Sequence, residues 1–126
     1  MCAASYEARK FGVRSALPSA TAGRLCPNGV FVRPRMDAYK EESRAIMKLV
    51  PETGAVIEPM SIDEAYLDLS ARCQAEDADA SLRLALPIAQ QLKQRIVTER
   101  HLTATIGIAA NKLLAKIASD FRKPDG

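Results

Sequence analysis

Two short apolar runs, Ala55–Pro59 and Ala65–Leu69, are separated by the tight polar connection Ser61–Glu64 and read as the two strands of a hairpin. In the second run Ala65, Leu67 and Leu69 face one way, and Tyr66 and Asp68 face the other. The hairpin constrains everything placed around it. Before it, Met36, Tyr39, Ile46, Met47 and Val50 fall mostly three or four apart and predict a helix over Met36–Val50, ended by Pro51 and Gly54. After it comes a polar loop, Ala71–Ser81. A helix then runs to about His101 with Ala85, Ile88, Leu92 and Ile96 inward. Pro87 would interrupt a helix interior, so the regular part is expected to begin near it. Thr103–Ala109 is rich in β-branched residues and predicts a buried strand. Asn111–Phe121 predicts a helix with Leu114, Ile117, Ala118 and Phe121 inward. Helix, strand, strand, helix, strand, helix is most of a βαββαβ ferredoxin-like α+β fold, with the first strand expected before residue 1. Residues 1–35 differ: they are irregular and rich in turn formers, with a short helix over Ser19–Leu25 stopped by Pro27.

Composition narrows the class. The 126 residues suit one domain able to bury a core, and no repeat or low-complexity run appears. A membrane span needs about 20 apolar residues in a row, and stretches such as Thr105–Ala110 are far shorter. Tyr6, Glu7, Arg9 and Lys10 break up any signal peptide. Three widely spaced cysteines, Cys2, Cys26 and Cys73, form no metal or disulfide pattern and point to a reducing cytoplasm.

Charge is segregated. Residues 1–35, 36–87 and 88–126 carry +5, −6 and +4 within a net charge of +3. This is either solvated surface or an acidic metal site between basic, phosphate-holding walls.

Three groups of residues bear on that choice. Asp63 and Glu64 are adjacent carboxylates at the hairpin connection, flanked by Val56, Ile57, Met60, Ile62, Ala65 and Leu67. Such a pair is either turn chemistry or, on a rigid edge, a donor set for a hard ion such as Mg²⁺. Tyr6 and Arg9 sit three apart and would share one side of a helical turn. They are either surface residues or a hydroxyl and a planar fork for phosphate. Lys112 and Lys116 open a helix after a strand, with Lys123 beyond it. These lysines are either a solvated face or positive charge for an anion. Lys93 is expected on the outer face of its helix, and His101 is assigned no role.

The segments Ser5–Val13 (SYEARKFGV), Asp37–Tyr39 (DAY), Ser61–Asp68 (SIDEAYLD) and Lys112–Gly126 resemble, in order and spacing, the Y-family translesion DNA polymerases. The resemblance covers essentially the whole chain. It implies part of a fingers subdomain over 1–35 and most of a ferredoxin-like palm over 36–126. Asp63 and Glu64 then match the second and third metal-binding carboxylates of a two-metal Mg²⁺ site. Tyr6, Arg9 and Lys123 match residues that contact the incoming deoxynucleoside triphosphate. The implied partners are primer-template DNA and, for a full-length member, a sliding clamp, with no membrane. The family's first metal-binding Asp and its ribose-excluding aromatic residue would precede residue 1, and the thumb and little finger would follow Gly126. The expectation is therefore an internal fragment that is inactive alone. Ala3 stands where the family often has Thr. A non-catalytic nucleotide-binding palm remnant is the alternative; a nucleotide cyclase is disfavoured by YEARKFGV and the terminal KPDG.

Overall fold

The computed structural model describes residues 2–126, which divide into one compact unit ending at Met36 and a second, Asp37–Gly126. In the first unit, α1 (Tyr6–Arg9) is started by Ser5, whose Oγ accepts from Ala8 N at 3.3 Å. Gly12 follows at φ +81°, a left-handed turn that favours glycine. Helix α2 (Ser19–Leu25) occupies the predicted span. It ends because Cys26 precedes Pro27, which pushes that residue out of the helical region, to φ −134°. Val13 and Ala22 are its buried side chains among the described residues.

The second unit is built on the hairpin. Strands β1 (Val56–Pro59) and β2 (Ala65–Asp68) pair antiparallel, with Ile57 opposite Leu67 and Glu58 opposite Tyr66. Helix α3 (Met36–Met47) stops earlier than the sequence suggested. The chain tightens instead into a 3₁₀ turn, Val50–Thr53, with Pro51 in its first turn, where a missing N–H costs nothing. Thr53 is buried and satisfied: its hydroxyl donates to Val50 O at 2.7 Å and accepts from Ala55 N at 3.2 Å.

Helix α4 (Ala78–Arg100) begins well before Pro87, contrary to expectation. Asp77 supplies the start by accepting from Ala80 N at 2.7 Å. Proline is tolerated within because Pro87 and Arg83, whose carbonyl loses its partner, both lie on the exposed side. The predicted inner face is correct: Ala85, Leu92 and Ile96 are buried, and Ile88 is half-buried. Leu92 and Ile96 meet Leu49 and Val50 in the core, with Ile57 and Leu67 of the hairpin packed against them.

Two expectations are corrected. Thr103–Ala109 is not a strand. It has no regular secondary structure and is half-buried from Ala104, and alternate residues Ala104 and Ile106 pack on the core. Ile106 N–H bonds to the carbonyl of Gly126, but no strand lies alongside among the described residues, and a ladder needs a partner. Helix α5 (Lys112–Phe121) has the predicted extent but the opposite face. Leu114, Ile117, Ala118 and Phe121 are exposed, whereas Ala115, Lys116 and Ser119 are half-buried. The reason is a close backbone approach: a Cβ at Gly107 would overlap the Ala115 carbonyl oxygen and crowd Ser119 N. Only the small residues of α5 can rest on that glycine. The result is an α+β fold with a two-stranded sheet, in place of the three strands expected.

Two measurements follow. Ile96 is 3% exposed at the centre of this core, so Ile96→Ala should lower unfolding free energy by about 2–5 kcal/mol in a urea titration. Arg100 grips Glu42 through Nε at 3.0 Å and Nη2 at 2.7 Å, which holds the Glu42 carboxyl below its ordinary value. A depressed folded-state pKa stabilises above the unfolded value and is lost as pH falls through the folded one. The stability gap between wild type and Glu42→Gln should therefore be open at about pH 7 and close towards about pH 3, and narrow with added salt.

Candidate functional site

The Ser61–Glu64 turn is fixed by its own hydrogen bonds. Met60 N and Ser61 N both donate to Glu64 O, at 2.9 and 3.1 Å. The Ser61 hydroxyl donates to Asp63 Oδ1 at 2.8 Å and accepts from Asp63 N at 3.4 Å. Asp63 and Glu64 are exposed at the end of a hairpin whose Ile57 and Leu67 pack on the core. At the far end of β2, Asp68 accepts from Ser70 N at 2.8 Å, and the Ser70 hydrogen bonds keep its carboxyl below the usual range.

Helix α5 delivers positive charge to this edge. Asn111 caps it, its side-chain oxygen accepting from Leu114 N at 2.9 Å, so the first turn is rigid. Lys112 and Lys116 lie one turn apart on the same face. Lys112 pairs with Glu58, with its ammonium 5.5 Å from the Tyr66 ring centre. Lys116 pairs with Glu64, which raises the lysine's pKa. Sequence reasoning supplied these lysines only as general positive charge. It missed the pairing, for which the signal is two lysines at i, i+4 matched to two carboxylates, Glu58 and Glu64, that flank the turn of a hairpin.

Lys123 pairs with Asp120 at 2.5 Å, and this cation holds the Asp120 carboxyl below its ordinary value. Asp63, Glu64, Lys112, Lys116 and Lys123 all line one open cleft of about 1160 Å³ in the second unit. Lys93 is not the outer-face residue expected. Its side chain is 23% exposed, and its ammonium reaches Asp125 Oδ1 at 3.0 Å and Gly126 O at 2.9 Å, tying α4 to the last residues.

In the first unit Tyr6 and Arg9 do share one side of α1. The Arg9 guanidinium lies 4.7 Å from the Tyr6 ring centre, and its Nε donates to Ala4 O at 3.0 Å. Ring and carbonyl together orient the fork, and among the described residues its terminal N–H groups have no hydrogen-bond partner.

The donor set at the hairpin end suits a hard divalent cation in kind, because both carboxylates offer oxygen and such ions complete their shells with water and phosphate. Among the described residues no group of three or more His, Cys, Asp or Glu side chains converges on one point. No helix among them is long and apolar enough to cross a membrane.

Residues 1–120 match the impB/mucB/samB family. The chain is 50% identical over 124 residues to DNA polymerase IV of Clostridium perfringens (strain 13 / Type A), covering 97% of this chain and 32% of that one. It is 51% identical over 126 residues to DNA polymerase IV of Xanthomonas oryzae pv. oryzae (strain MAFF 311018), covering 100% and 33%. Among solved structures it is similar to the insertion ternary complex of Dbh DNA polymerase, with a TM-score of 0.84, 37% identity and coverage of 97% and 34%. A DinB family error-prone DNA polymerase from Sulfolobus solfataricus gives a TM-score of 0.82 at 37% identity, covering 96% and 35%. The chain thus spans about a third of the length of the relatives it matches.

Proposed function

The chain belongs to the impB/mucB/samB family, and from that premise we propose that it forms the fingers (1–35) and palm (36–126) portion of a translesion DNA polymerase. The reaction is nucleotidyl transfer. A primer 3′-hydroxyl oxygen bonds to the α-phosphorus of a deoxynucleoside triphosphate, and the bond to pyrophosphate breaks. Primer-template DNA and the triphosphate are the substrates. A sliding clamp is the further partner of the whole enzyme, and the cytoplasm is its compartment.

The observation that carries this reading is the pair Asp63 and Glu64, held at a rigid hairpin end in a cleft walled by Lys112, Lys116 and Lys123. Asp63 and Glu64 would hold Mg²⁺. Bound there, Mg²⁺ supplies charge stabilisation for the attacking and leaving oxygens. The chain's own side chains do the rest. Ser61 orients Asp63 by donating to one of its oxygens, leaving the other open. Tyr6 offers a hydroxyl, and Arg9 its terminal N–H groups, to triphosphate oxygens. Lys123 exchanges Asp120 for a phosphate oxygen. Each is a charge-assisted contact to a ligand that spreads its charge over several atoms.

The test is a graft. Placed in the corresponding segment of the Xanthomonas oryzae relative, the chain should support single-nucleotide incorporation. In that chimera Arg9→Ala and Lys123→Ala should each reduce the efficiency of nucleotide use by about 10-fold or more, since a charge-assisted hydrogen bond is worth roughly 1.5–3 kcal/mol. Lys48→Ala, at an exposed lysine that does not line the cleft, should change it little. Equal losses in all three would mean generic charge and overturn the assignment. Asp63→Ala should abolish incorporation; retained activity would remove it from the metal site.

A further inference from the structure

Glu64 and Asp63 are adjacent in sequence but restrained by different partners. Asp63 is held by the hydroxyl of Ser61, within its own turn. Glu64 is held by the Lys116 ammonium, which arrives from α5, 52 residues away in sequence. We infer that Lys116 is a positioning residue for the carboxylate pair: it takes the place of a divalent cation on Glu64 in the metal-free protein and yields the carboxylate when the cation binds. The inference rests on the reading of Asp63 and Glu64 as metal ligands.

Three features support it. Two neighbouring carboxylates repel one another unless a cation offsets them, and Lys116 is the cation in contact with one of the two, Glu64. A lysine is also the right type of stand-in. Its ammonium is a compact point charge on a flexible stem and makes no planar two-point grip, so a doubly charged ion can displace it. Finally, the helix does not depend on this contact for its place. Lys112, one turn earlier, pairs with Glu58 and lies against the Tyr66 ring, and the small residues of α5 rest on Gly107. Lys116 can let go while α5 stays docked. Once released, its ammonium remains in the cleft that Lys123 also lines, where it can meet an anionic ligand.

The measurement is Mn²⁺ uptake by the 126-residue chain at low ionic strength, followed by the electron paramagnetic resonance signal of free Mn²⁺. Lys116→Ala should bind Mn²⁺ about three-fold more tightly, the range into which the worth of an exposed ion pair converts. Lys116→Gln keeps the stem and should do the same, which guards against a folding defect in the alanine variant. Lys116→Arg keeps the pair through a stronger fork and should bind no more tightly than wild type. Lys112→Ala removes an equal charge one turn away and should have a distinctly smaller effect. Unchanged or weaker binding in both Lys116→Ala and Lys116→Gln overturns the inference, as does an equal gain in Lys112→Ala. Asp63→Ala plus Glu64→Ala separates this from the underlying reading. If the double variant loses Mn²⁺ while the Lys116 variants match wild type, only the role of Lys116 fails. If it binds as wild type does, or if wild type takes up no Mn²⁺, the metal assignment fails and the inference with it.

Discussion

The register of one hairpin sets the position of everything chemical in the second unit. With Ile57 opposite Leu67, both side chains pack on the core formed by Leu49, Val50, Leu92 and Ile96. The period of two then sends Glu58 and Tyr66, the next cross-strand pair, to the other face, where Lys112 meets both. A slip of one residue would drive Glu58 towards the core and Ile57 into water. The same register places Asp63 and Glu64 at the end of the ladder, where Met60 and Ser61 close the turn onto the Glu64 carbonyl. The carboxylates are rigid because the apolar residues behind them have one way to pack.

What could be read from the sequence follows from how local each cause is. Helices α2 and α3, the hairpin and the buried stripe of α4 come from periodicity and turn chemistry within a few residues, and the sequence shows them directly. The segment Thr103–Ala109 depends on a neighbour. Its β-branched residues suit a strand, and Ala104 and Ile106 do face the core, yet a strand exists only when another pairs with it. The start of α4 was hidden for another reason. Pro87 argued for a late beginning, whereas Asp77 and an exposed site for the lost hydrogen bond made an early one possible.

Helix α5 is the instructive failure. Its apolar residues Leu114, Ile117 and Phe121 recur at helical spacing, and amphipathic logic turns them inward. The glycine at position 107 decides otherwise, by admitting the backbone beside Ala115 and Ser119 closer than any side chain would permit. The Lys112 ion pair with Glu58 then fixes the rotation. The same rotation brings both lysines to the hairpin carboxylates, so one close contact settles both the packing of α5 and the electrostatics of the candidate site. Periodicity within α5 carries no information about either.

The segregated charge acquires two different meanings. In the second unit it is largely matched across the fold: Arg95 pairs with Glu52, Arg100 with Glu42, Lys112 with Glu58 and Lys116 with Glu64. Basic groups after residue 88 thus tie α4 and α5 to the acidic middle. The first unit has no such counterweight. Arg9, Lys10, Arg14, Arg24, Arg33 and Arg35 accompany a single acid, Glu7, and none of the six is in an ion pair among the described residues. Exposed like charges on a small unit repel each other, and an anion relieves that repulsion. The basic groups are therefore of two kinds. Those that are paired in the second unit, such as Lys112 and Lys116, would have to exchange an internal carboxylate for any anion. Those in the first unit have no carboxylate partner among the described residues to give up, so an anion meets them without an exchange.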